Sequence, residues 1–139
     1  MKLKKIVALC MVLAMLVMAV PSVGSLALDG TVPITSYYTN TSQVQVGLSF
    51  TGTTANCSST IIGFSGTTKI TATLSLYRIN ANGSLTLLKS WTASSSITML
   101  NIGETYAVSA GYTYRLSVSA QVTRNATTES VSNSVDRAL

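Results

Sequence analysis

Apolar and polar residues alternate along much of the chain, most cleanly from Tyr114 to Thr123. Tyr114, Leu116, Val118, Ala120 and Val122 fall on one side, and Arg115, Ser117, Ser119, Gln121 and Thr123 on the other. A period of two belongs to a strand with one face in a core and the other in water. Upstream, a short extended piece over Thr105–Ser109 leads to Gly111, which supplies a chain reversal. A tyrosine at the first inward position after such a turn can bury its ring and return its hydroxyl to the turn's backbone. That arrangement is a tyrosine corner.

The same pattern places further strands. Gln43 to Phe50 alternates without error, with Val44, Val46, Leu48 and Phe50 inward. Thr67 to Ile79 forms the longest strand, with Ile70, Ala72, Leu74 and Leu76 inward. Asn80-Ala-Asn-Gly83 is a turn, because Asn and Gly tolerate positive φ. Ser84 to Thr92 returns beside it, so residues 68–92 make a hairpin. Leu85 and Leu87 fit one face, whereas Leu88 and Trp91 break the alternation and predict a bulge or twist. Thr31 to Tyr38 reads as an edge strand, since Pro33 cannot donate to a central ladder. Gly52 to Ser59 reads as a loop, and Ile61 to Gly66 as a short strand or a bulged approach to the next. Ile97 to Ile102 is extended, and Glu129 to Val135 closes the fold as an edge strand. About seven strands, turn signals every ten or so residues and no helical period predict an all-β, antiparallel two-sheet sandwich of immunoglobulin or fibronectin III type. An up-and-down barrel is the alternative.

The first residues follow a different rule. Met1 to Lys5 is basic, Ile6 to Val20 is an unbroken apolar run of fifteen residues, and Pro21 ends it. Ser25-Leu26-Ala27 puts small residues at a cleavage site. This predicts a signal peptide over 1–27, hence a secreted or cell-wall-associated protein that meets the membrane only transiently. Residues 28–139 then form one domain, enough for a single core.

Removing 1–27 changes the charge. The whole chain carries +5, but from residue 28 six scattered basic residues face four acidic ones, a net +2. No basic run tracks phosphates, so nucleic acid is not an expected partner. Cys57 is the one cysteine in that part. It is either a buried small hydrophobe or a thiol free to pair between chains, and nearby Ile61-Ile62 favours burial. Ser and Thr make up 38 of these 112 residues. A mucin-like stalk would want proline, and none follows Pro33; the hydroxyls alternate with Val, Leu and Ile and so belong to solvent faces of strands.

The segment Val108-x-x-Gly111-x-x-Tyr114-x-Leu116-x-Val118 resembles the tyrosine-corner signature of fibronectin type III domains, with Ala110 where those usually carry proline. With the signal peptide, the Lys89-Ser-Trp91 end of the hairpin and the Gly111-x-x-Tyr114-Arg-Leu strand, the chain also resembles small secreted proteins of uncharacterised function from Firmicutes-type bacteria. The resemblance implies a fold and a location, not an activity.

Little catalytic chemistry is on offer. The chain has no histidine, which removes Ser-His and Cys-His pairs and most zinc sites. No metal or cofactor is expected. Lys89 and Ser90 are adjacent in a strand and point to opposite faces. The Asn80–Gly83 turn lacks the carboxylates of a calcium loop. The matches to Asn-x-Ser/Thr at Asn40, Asn56, Asn82 and Asn125 are those a hydroxyl-rich chain makes by chance. Glu104 and Glu129 are the pair a hydrolase would need, separated by roughly 5 to 9.5 Å in a cleft. Tyr37, Tyr38, Tyr77, Trp91, Tyr106 and Tyr112 fall mostly outside the inward register and could stack on sugars or contact a protein. The expected role is a non-catalytic binding or adhesion module for a cell-surface protein or carbohydrate, with Trp91 and Tyr112 as candidate contacts. The alternatives are a hydrolase using a carboxylate pair, or a structural protein that self-associates through edge strands.

Overall fold

The computed structural model describes residues 31–34 and 37–139; the expected signal peptide over 1–27 lies outside them. The strands are β1 (Thr31–Ile34), β2 (Thr41–Thr51), β3 (Thr54–Gly63), β4 (Thr67–Ile79), β5 (Leu85–Ser95), β6 (Met99–Ala107), β7 (Thr113–Arg124) and β8 (Thr127–Ala138). Seven are nine residues or longer, and β1 is a four-residue edge strand. They form two antiparallel four-stranded sheets, ordered β1-β2-β3-β6 and β5-β4-β7-β8. Hairpins join β2 to β3, β4 to β5 and β7 to β8, and the remaining links from β3 onward cross between sheets. Pairing β3 with β6 and β4 with β7 across those links is compatible with an immunoglobulin- or fibronectin III-like sandwich.

The core is the sum of the inward rows. Val44, Val46 and Leu48 of β2, Ile70, Ala72, Leu74 and Leu76 of β4, and Tyr114, Leu116, Val118, Ala120 and Val122 of β7 are all buried. Phe50, the last of the β2 row, is half-buried, with its ring 5.7 Å from that of Tyr114. Burying one such aliphatic side chain contributes about 1.5–3 kcal/mol.

Several sequence expectations need correction. Gly52–Ser59 is not a loop. A tight turn at Gly52 starts β3, which pairs with β2 from Thr54 to Gly63 and carries Ile61 and Ile62 with it. Its inward row is Ala55, Cys57, Ser59 and Ile61, too small and polar to register as a hydrophobic strand, yet all four are buried. Ser59 is accommodated because its Oγ donates to the Gln45 carbonyl at 2.8 Å. Ile97–Ile102 and Thr105–Ser109 are not separate pieces, since β6 runs unbroken over Met99–Ala107. The first strand ends at Ile34, and Tyr37 and Tyr38 are not in a strand. Glu129–Val135 lengthens to Thr127–Ala138.

The bulge expected in the second hairpin strand lies at Leu88. Leu76 pairs with Lys89 and Tyr77 with Leu87, leaving Leu88 as the extra residue. The insertion switches faces. Trp91 and Ala93 come to pack on the core, while Leu85 and Leu87 share the solvent face and are exposed.

Candidate functional site

The β6–β7 link and the β4–β5 hairpin meet at one end of the sandwich and enclose a cleft of about 420 Å³. β4 contributes Arg78 and Ile79, its turn Asn80 and Ala81, and the β6–β7 link Gly111, Tyr112 and Thr113. Each wall is fixed locally. The Asn80–Gly83 turn is closed by Gly83 N–H donating to the Asn80 carbonyl at 2.8 Å, with Gly83 at φ +80°. Asn80 Nδ2 ties the turn to Ser84 and Thr86, both at 2.9 Å. Gly111 reverses the chain at φ +85°, and its N–H donates to a backbone oxygen of Leu139 at 2.8 Å. Leu139 N–H donates back to the Tyr112 carbonyl at 3.0 Å.

Two side chains give the cleft its chemistry. Tyr112 is 44% exposed, and the Arg78 guanidinium carbon lies 4.9 Å from its ring centroid, a cation–π contact. Arg78 pairs across β4–β7 with Tyr114, so it continues the inward row Ile70, Ala72, Leu74, Leu76 past the end of the core. Its Nε is buried and has no hydrogen-bond partner among the described residues. Leaving such a group unpaired costs about 1–3 kcal/mol, more when it is charged.

The structure does not bring the two sequence candidates together. Trp91 pairs with Leu74, five positions along β4 from Ile79, which pairs with Thr113. At strand rise that is about 16 Å. Trp91 is half-buried at the β5–β6 margin, edge-on to Tyr106 at 6.5 Å between centroids. Tyr38 and Tyr106 likewise pack against the core, and among the described residues Tyr37 and Tyr112 are the exposed tyrosines. Sequence reasoning missed Arg78. The available signal was a cation at the next inward position after Leu76, where a hydrophobe is expected.

A second depression, of about 560 Å³, lies along β2, β3 and β6. Asn56, Cys57, Ser58, Glu104 and Arg137 are among the residues that line it. Arg137 Nη1 donates to the Leu48 carbonyl at 3.2 Å, so a backbone group already engages it.

The carboxylates stand apart. Glu104 sits in the row Leu48, Cys57, Glu104 across the first sheet. Glu129 accepts the N–H groups of Thr39 at 2.6 Å and Asn40 at 3.0 Å. Asn40 and Leu48 are eight residues apart, about 26 Å along extended chain, so these two do not converge in one cleft. Lys89 and Ser90 take opposite faces, and Ser90 Oγ bonds Ser75 Oγ at 2.8 Å. Cys57 is buried as a free thiol. Neither the family models nor the curated proteins compared with this chain give a match.

Proposed function

We propose that the chain is a non-catalytic binding module, secreted or displayed at the cell surface, that engages a glycan or protein surface through the loop-end cleft under Tyr112. One observation carries this reading: an exposed aromatic ring, backed by a cation, stands over a cleft whose two walls are pinned turns. A rigid sandwich presenting a partly open aromatic at its loop end suits recognition, because little order is lost on binding. Trp91 drops from contact residue to packing residue on this reading. The test is a binding screen of the purified protein against polysaccharides and surface proteins, run beside Tyr112→Ala and Trp91→Ala. Tyr112→Ala is expected to lose binding at unchanged stability, and Trp91→Ala to lose stability first. A folded wild type that binds nothing, or a Tyr112→Ala variant that binds as well as wild type, overturns the reading.

A further inference from the structure

We propose that the cleft is an anion subsite and that its ligand is an acidic glycan, with a uronate carboxylate paired to Arg78. This rests on the binding-module reading above and adds the charge of the ligand. Among the described residues Arg78 is the one charged side chain lining the cleft, and no Asp or Glu lines it. Among the described residues the acidic side chains are committed or distant. Asp136 pairs with Arg115 at 2.6 Å, Glu129 holds the backbone of Thr39 and Asn40, and Glu104 lies in the opposite sheet. Among the described residues the guanidinium therefore has no carboxylate side chain in a salt bridge with it, and its Nε has no hydrogen-bond partner.

Its position is also set in advance. The Arg78 stem leaves β4 beside buried Tyr114, and the Tyr112 ring lies 4.9 Å from the guanidinium carbon. A planar fork held in this way matches a carboxylate bidentately, and a partly desolvated site strengthens the pair. The exposed part of Tyr112 offers apolar ring surface beside that anion. A uronic acid carries a rigid ring and a carboxylate on one residue, so a single unit meets both demands. An acidic peptide side chain brings the carboxylate on flexible methylenes and has no ring to lay on Tyr112. The cleft volume falls in the range of small-ligand sites.

The test titrates the protein with oligosaccharides of galacturonate, glucuronate, mannuronate and guluronate, each beside its carboxyl-reduced counterpart, by calorimetry at low salt. At least one uronate is expected to bind about tenfold or more tightly than its reduced form, with the advantage shrinking as salt rises. Arg78→Gln is expected to erase that advantage and Arg78→Lys to restore part of it. Reduced forms carry the test on the ligand side if Arg78→Gln fails to fold. Equal binding of charged and reduced sugars through Tyr112 overturns the anion subsite and leaves the binding module standing. Capture of a free peptide carboxylate in place of any uronate overturns the glycan. Binding of no saccharide and no protein at all overturns both readings together.

Discussion

Tyr114 and Ser109 exchange two hydrogen bonds: the Tyr114 hydroxyl donates to the Ser109 carbonyl at 2.6 Å, and the Ser109 N–H donates to that hydroxyl at 3.0 Å. One phenol oxygen thus satisfies both backbone groups of a residue in the β6–β7 link, and its ring is buried. The link carries Gly111 and Tyr112, so the corner that closes the fold also fixes one wall of the cleft.

Tyr114→Phe keeps the ring, and with it the contact to Phe50, but removes both bonds. The expected cost is about 1–2 kcal/mol, seen as a lower denaturant midpoint and a Tm fall of roughly 5–10 °C. Tyr114→Ala, which also empties the core position, should cost about 3–5 kcal/mol. A Tyr114→Phe variant as stable as wild type would mean that the hydroxyl contributes nothing.

Glu129 predicts an acid-limb dependence. Burial pushes its carboxyl upward, but the N–H groups of Thr39 and Asn40 outweigh this and hold it below the usual 4.5. Thr41 adds a weaker pull from nearby, although its Oγ1 makes no bond of hydrogen-bonding geometry. Arg115, donating through Nε and Nη2 at 2.6 and 2.7 Å, holds Asp136 below 3.8 in the same direction. Depressed carboxyls bind fewer protons folded than unfolded, so their contribution is present above about pH 4.5 and is lost as pH falls through the folded values. Denaturation midpoints from pH 7 to 2.5 should be flat and then drop. Glu129→Gln should flatten the drop, with the exposed Asp136 pair accounting for a smaller remainder. An unchanged acid limb in Glu129→Gln would remove this role.

The sequence was most readable where inward positions are large. β2, β4 and β7 carry mostly Val, Leu and Ile on their inward sites, and the faces read for those residues are the ones observed. β3 was unreadable for a physical reason: it is a central strand whose inward row is mostly small residues, and Ser59 there is satisfied by a backbone carbonyl that sequence alone does not place. The bulge was visible as a broken alternation at Leu88 and Trp91, but its consequence, that Leu85 and Leu87 turn to solvent, depends on register. The cleft depends on two turns 30 residues apart in sequence, Asn80 to Ala110, coming together. Tyr112 was visible as an aromatic beside a turn, whereas its partner Arg78 was hidden at the end of a hydrophobic row.

Cys57 should behave as core. Burial first, and then the charge of Glu104, push its thiol up to about 11 from 9.0. At pH 8 roughly a thousandth of it is thiolate, and the sulfur is covered. Alkylation should be slow in the native protein and rapid in denaturant. A raised acid pKa also means that stability is fully present below pH 9 and is lost as pH rises toward 11. Cys57→Ala should therefore show a shallower alkaline decline than wild type. Fast native labelling, or a covalent dimer under oxidising conditions without unfolding, would contradict the buried placement.

The β7–β8 hairpin turns on Asn125 and Ala126, at φ 49° and 62°. Two consecutive left-handed residues are what a two-residue loop needs to match the strand twist, and the usual choice is Asn-Gly. Asn tolerates this region, whereas an alanine Cβ is strained there by about 1–2 kcal/mol. Glycine relieves the strain but adds freedom to the unfolded chain, so Ala126→Gly should stabilise by about 0.5–1 kcal/mol net. The turn faces solvent, and both residues are exposed, so no packing is lost. The gain should appear as a higher midpoint at unchanged denaturant slope. Since this hairpin carries Glu129, which holds Thr39 and Asn40, the same substitution should also slow hydrogen exchange at those two amides. A destabilised Ala126→Gly would show that the turn does not hold this conformation.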